Sequence, residues 1–235
     1  MEMSQGANNR SAGFTPVSTQ SQAYAPAGLQ SLINVDHLFV KQQYERLEAF
    51  TGFETCNKYV VKDQQGHDVF YAFEEDDTCA RMCYSASQRP FEMSILNKDQ
   101  VEVIHVRRDV DCSCCGSHQL LEVYSPPGNF IGSIEQNFTI FTPEFDVKNE
   151  SGEVVLRIEG PLIRSAVFSD AEFKVMTVDK SAVIGKISKT WSGLARELFT
   201  DSDFFGITFP ADLDVRTKAK LIGACFLIDF MYYES

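Results

Sequence analysis

The sequence predicts a mainly β protein, a closed antiparallel barrel of about twelve strands around a hydrophobic C-terminal helix. Three observations predict it. A strand–turn–strand unit recurs along the chain with near-constant spacing, further alternating stretches bring the strand count near twelve, and Leu221–Tyr233 is apolar almost throughout. So many short antiparallel strands must hide their edges, and closure into a barrel removes them. A barrel that wide leaves a lumen that wall side chains fill poorly, and an all-round apolar helix suits it as a plug.

In chain order, residues 1–28 are rich in Ser, Gln, Ala, Asn and Gly, with Pro16, Pro26 and few charges. Such a segment cannot bury enough apolar area to offset ordering, so disorder is expected there. Residues 29–235 form the expected barrel domain. Leu121–Ile134 aligns without gaps on Phe145–Ile158, and Tyr59–Tyr71 follows the same template. Phe173–Ile187 matches with one extra residue. In the ungapped copies, apolar alternation is interrupted by a polar patch whose glycine (Gly66, Gly128 or Gly152) suits a positive φ. Phe91–Leu96 and Val101–Val106 make a fifth hairpin, and Leu38–Leu47 and Phe204–Phe209 supply two more strands.

Leu221–Tyr233 admits two fates. A bilayer core needs about 20 apolar residues, and runs of about 10–14 more often belong to buried core helices. This run has thirteen residues and carries Asp229 near its end. Arg216, Lys218 and Lys220 before it would suit a positive-inside span. The core helix is the expectation, with a single-pass span as its rival. An unpaired buried carboxylate is costly, so Asp229 should pair with a barrel residue or face the lumen mouth.

The 235 residues carry a net charge of −12 and seven cysteines. That acidity argues against nucleic acid and against unaided docking on anionic lipid. No apolar run follows Met1, so no secretory signal is expected and the thiols should be free, acylated or metal-bound. No Gly-x-Ser-x-Gly, phosphate loop or zinc-helix motif occurs, and His37, His67, His105 and His118 fall in separate elements.

Trp191–Val215 and Ile222–Met231 closely resemble the phospholipid scramblase family. So do Leu47–Thr55, Asn57–Tyr59, Arg89–Phe91, Pro126–Gly128 and Gly185–Lys189. The resemblance covers about Gly28 to Glu234 and implies a Tubby-like barrel of about twelve strands around a central helix. It also implies that Asp201–Asp212 is a calcium segment comparable to an EF-hand loop. Asp201, Asp203 and Asp212 would act through carboxylates and Phe205, Ile207 and Phe209 through carbonyls. Asp212 is one methylene short of the usual bidentate Glu, and Phe-Phe-Gly-Ile-Thr-Phe reads as strand rather than loop. On that reading Asp201 and Asp203 sit in a turn, and Asp212 or Asp214 caps the final helix.

The family's cysteine-rich segment corresponds to Cys112, Cys114 and Cys115, which the resemblance implies are S-palmitoylated. Two acyl chains are about what stable anchoring needs. Rival readings are plain thiols, or zinc held with His118, with or without Cys79 and Cys83. Gly185–Gly193 overlays a nuclear-import segment of some relatives, but its residues also read as an exposed strand edge. The implied function is calcium-dependent, ATP-independent, bidirectional movement of phospholipids between leaflets, without covalent chemistry. It would act from the cytoplasmic face of the plasma membrane. The alternative is a palmitoyl-tethered module that binds anionic headgroups or signalling proteins without moving lipid.

Overall fold

The computed structural model describes residues 25–43, 57–75, 88–109, 119–162, 171–189 and 204–233. Among them lie twelve strands and one α-helix. The strands are β1 (His37–Gln42), β2 (Lys58–Lys62), β3 (Asp68–Glu74), β4 (Phe91–Leu96), β5 (Glu102–Arg108) and β6 (Leu120–Tyr124). They continue as β7 (Phe130–Asn137), β8 (Glu144–Lys148), β9 (Val154–Glu159), β10 (Glu172–Met176), β11 (Val183–Lys189) and β12 (Phe204–Thr208), before helix α1 (Val215–Tyr232). Each strand pairs antiparallel with its sequence neighbours, and β12 returns beside β1 to close the barrel.

The repeat is visible in the turns. In five hairpins the fourth turn residue has positive φ: Gly66, Gln100, Gly128, Gly152 and Lys180. The first residue accepts from the third in the Asp63, Asn97 and Asn149 turns. Asn149 Oδ1, for instance, takes Ser151 N–H at 3.0 Å and Glu153 N–H at 2.9 Å. This is a type I turn closed by a bulge, and it fixes the register of the flanking strands. The extra residue of the Phe173–Ile187 copy lengthens its turn, which closes from Thr177 N–H to Ala182 O.

These tight turns gather at one end of the barrel. The opposite end carries the connections β1–β2, β3–β4, β5–β6, β7–β8, β9–β10 and β11–β12, because a meander alternates ends. Helix α1 starts at the tight-turn end, where Asp214 caps it by accepting Thr217 N–H at 3.0 Å. It then runs back through the lumen. Leu221 to Phe230 is buried throughout, against inward residues such as Met93, Val106, Leu121, Val123 and Val147. Thus Leu221–Tyr233 is core. Among the described residues no helix is long and apolar enough to cross a membrane, a statement that concerns helices alone.

The basic residues assigned to a span's flank are redistributed. Arg216 is exposed and pairs with Glu150 at 3.3 Å. Lys218 is buried and donates to the carbonyls of Leu32, Val35 and Ala211 at 3.0, 2.7 and 2.7 Å. Lys220 donates to Lys148 O at 3.1 Å. The Gly185–Lys189 stretch is no edge, since β11 has β10 and β12 on its two sides. Residues 1–24, most of the expected disordered segment, lie outside the described residues. Leu29 and Leu32, just beyond the segment, belong to the core.

Two glycines separate close packing from turn geometry. A Cβ on Gly132 would lie 2.0 Å from Lys148 O, with φ at +135°, whereas one on Gly152 would meet nothing within 4 Å. Urea unfolding should therefore show Gly152→Ala losing about 1–2 kcal/mol from left-handed strain alone. Gly132→Ala should lose clearly more or fail to fold; equal losses would refute the close approach.

Candidate functional site at the mouth of the barrel

At the end carrying the longer connections, α1 finishes inside a ring of polar side chains. Tyr59 donates to Asp229 at 2.8 Å. Arg89 pairs with Glu74, which also accepts from Asn57 at 2.7 Å, and Gln42 donates to Asn57 at 2.9 Å. The Arg89 guanidinium lies 4.7 Å from the Phe230 ring centre, and Phe230 stacks on Phe91 at 4.1 Å. Arg108 hydrogen-bonds Gln119 and lies 6.0 Å from the centre of Phe91. Glu74, Arg89, Arg108, Gln119 and Asp229 are all buried.

Such charges persist out of water only when partnered. The ring joins the mouth ends of β1 to β6 to the last turn of α1. Asp229 was legible as a misfit on an apolar helix. Glu74, Arg89 and Arg108 were missed, although Arg108 continues the inward phase of Ile104 and Val106. A charge in an inward phase is the signal that could have found it.

Of the expected calcium residues, Phe205, Ile207, Phe209 and Asp212 are described, and they do not lie in one loop. Phe205 and Ile207 lie in β12, paired with Val40 and Leu38 on one side and Lys189 and Ile187 on the other. Carbonyls of a strand flanked on both sides belong to its ladders. Their side chains, and that of Phe209, are buried. Asp212 is exposed in the turn before α1, at the tight-turn end. Five residue steps of about 3.3 Å put Phe209 roughly 17 Å from Phe204. Phe204 and Asp212 thus lie toward opposite ends of the barrel. Asp201 and Asp203 lie outside the described residues. Asp214, not Asp212, is the helix cap.

Cys112, Cys114, Cys115, His118, Cys79 and Cys83 also lie outside the described residues. Their connections, β5–β6 and β3–β4, leave and rejoin the wall at the mouth. Cys225 is buried in α1, and burial pushes its thiol well above the usual range. Among the described residues, Glu75, Glu92 and His105 bring ligand atoms within 4.8 Å of one another. They come from β3–β5, a juxtaposition that no local spacing announces.

The mouth also exposes apolar side chains. Phe138, Ile140 and Phe141 in the β7–β8 connection are 95%, 71% and 72% accessible, and Leu162 in the β9–β10 connection is 60% accessible.

A closed twelve-stranded meander with its last helix as core, and with a buried ion pair and polar hydrogen bonds at one end, defines a barrel of the helix-filled kind. The chain belongs to the Scramblase family, whose profile matches residues 15–235. It is 46% identical over 213 residues to Phospholipid scramblase 1 of Homo sapiens, covering 89% of this chain and 67% of that one. It is 47% identical to Phospholipid scramblase 2 of Bos taurus, covering 89% and 72%. It is 40% identical to Phospholipid scramblase family member 5 of Homo sapiens, covering 89% and 78%. The chain thus spans about two thirds to four fifths of these relatives' length. No solved structure gave a significant match.

Two tests address the buried charges. Arg89→Met should cost about 3–5 kcal/mol in urea unfolding, by leaving Glu74 buried beside a lost partner. Adding Glu74→Met should recover much of that loss, and additivity of the two would show that the pair is not coupled.

Burial pulls Lys218 down from 10.5 to about 8, against Asp212, Asp36 and Asp214, which hold it up. Between those values the unfolded chain binds the extra proton, so this residue's contribution to stability rises with pH from about 8 to 10.5. The difference in unfolding free energy between wild type and Lys218→Met should move in favour of wild type across that window. A flat difference would contradict the shift. Tyr232 and Tyr233, raised to about 12 mainly by burial, act oppositely above pH 10 and cancel in the comparison.

Proposed function

We propose that this protein moves phospholipids between the leaflets of a membrane, in both directions and without making or breaking covalent bonds. The observation that carries this reading is the match of 89% of the chain to Phospholipid scramblase 1 and Phospholipid scramblase 2 at 46–47% identity. On this reading the protein is membrane-associated, at the cytoplasmic face of the plasma membrane, with Cys112, Cys114 and Cys115 palmitoylated. ATP independence is part of the reading, and the sequence lacks a phosphate-binding loop. So is calcium dependence. The ion would be held by Asp201 and Asp203, which precede β12 in the sequence, and Asp212, beyond β12, would not reach the same ion.

The filled lumen bears on mechanism. A headgroup needs a polar path across about 30 Å of hydrocarbon. Helix α1 occupies the barrel axis, and its Leu221–Phe230 stretch is buried throughout. A lipid route through the barrel would therefore compete with α1, and the better-supported action is disturbance of the bilayer from outside. The same burial favours the second reading, a palmitoyl-tethered module that binds anionic headgroups or signalling proteins and moves no lipid.

Dithionite quenching of labelled phosphatidylserine in reconstituted liposomes, with calcium or chelator, separates the two. Calcium-dependent loss of the protected inner-leaflet signal is expected for wild type and reduced at least ~10-fold in rate for Asp201→Ala, a loss of about 1.4 kcal/mol of calcium coupling. Asp212→Ala should act less. Full protection at verified incorporation would favour the tethered module.

A further inference from the structure

We propose that the β7–β8 loop, with Leu162 beside it, is the element that enters the interfacial zone of a phospholipid bilayer. This inference deepens the membrane reading above and rests on it. The loop runs Phe138-Thr-Ile-Phe-Thr-Pro143 and contains no ionisable side chain. Three of its six residues are large apolar groups held out from the wall. Monomeric proteins rarely leave such groups contiguous without a partner.

The tip is a built feature. Thr139 donates its hydroxyl to Thr142 O, so one polar group of each is satisfied within the loop. Gly160 N–H donates to Pro143 O at 2.8 Å, which ties the loop to the connection bearing Leu162. The acids on either side are paired: Glu135 with Lys148, and Glu144 with Lys180 at 2.7 Å. The tip is therefore neutral on a chain of net charge −12. A net negative charge works against attraction to anionic lipid, whereas burial of neutral apolar side chains does not depend on it.

Among the described residues the other end offers no equivalent. Its exposed Val101, Val178 and Val183 are single residues among Lys98, Asp99, Asp179 and Lys180. The β5–β6 connection, which carries Cys112, Cys114 and Cys115, opens at the same end as the tip.

The test uses the full chain made without acylation and vesicles of phosphatidylcholine with phosphatidylserine. Phe141→Trp, read as the difference from wild type, should shift to the blue on vesicle addition and be quenched by lipids brominated near the headgroup. Ile140→Asp combined with Phe141→Ser should cut vesicle partitioning by at least ~10-fold. Val101→Ser combined with Val183→Ser should leave it unchanged.

Bound Phe141→Trp protein without bromine quenching would overturn the proposal. So would an emission already blue and insensitive to vesicles, which would mean cover by another part of the chain. Loss of a self-associated state, rather than of vesicle binding, would assign the tip to a second copy and also overturn it. Dithionite quenching on the same vesicles keeps the two ideas apart. Lipid movement without Trp quenching sinks only the docking loop, and Trp quenching without lipid movement sinks only the scrambling reading.

Discussion

Encirclement of α1 by the barrel is the constraint on which the rest of the structure depends. A helix with no polar face cannot stand at a surface, and a wide barrel cannot stand empty; each supplies the apolar contact the other lacks. The fit is close. A Cβ on Gly223 would meet Leu121, Val106 and Val123 at 3.2–3.3 Å, so the wall packs tightly on the helix at its one residue without a side chain. Buried aromatic pairs continue the contact along the axis, from Tyr59 on Phe226 to Phe91 on Phe230.

The same encirclement explains the buried charges. Once α1 is inside, Lys218 and Lys220 can no longer reach bulk water freely, and backbone carbonyls become their acceptors. At the other end Asp229, Glu74, Arg89 and Arg108 are enclosed where the helix stops. Breaking any one of these contacts leaves a desolvated group behind, which costs more than the contact itself contributes. The polar ring therefore fixes the depth of the helix in the lumen more than it adds stability.

Meander topology then makes the two ends unlike. Tight, bulged turns close one end, and the longer connections gather at the other. Family membership supplies phospholipid as the chemistry against which the mouth is read. With the lumen filled by its own helix, the outer surface of that end, with its apolar tip, is where the proposed membrane role would attach.

Much of this was legible in the sequence because it is local. Strand alternation, the repeated Asp or Asn opening a turn and the glycine at its fourth position are encoded within a dozen residues, and they determined the strand count, the hairpins and the fold class. The thirteen-residue apolar run announced a helix without a water face. Its place inside the barrel depended on closure by β12 against β1, which brings together the two ends of the described chain. Tertiary structure also decided what side chains become. It put Phe205 and Ile207 in a ladder, sent Asp212 to the far end and made Asp214 the cap. It enclosed Lys218 and gathered Glu75, just past β3, with Glu92 of β4 and His105 of β5. Sequence spacing reports distance along the chain, whereas a ligand set depends on distance through space. A strand of five residues is enough to carry neighbours in the first sense to opposite ends in the second.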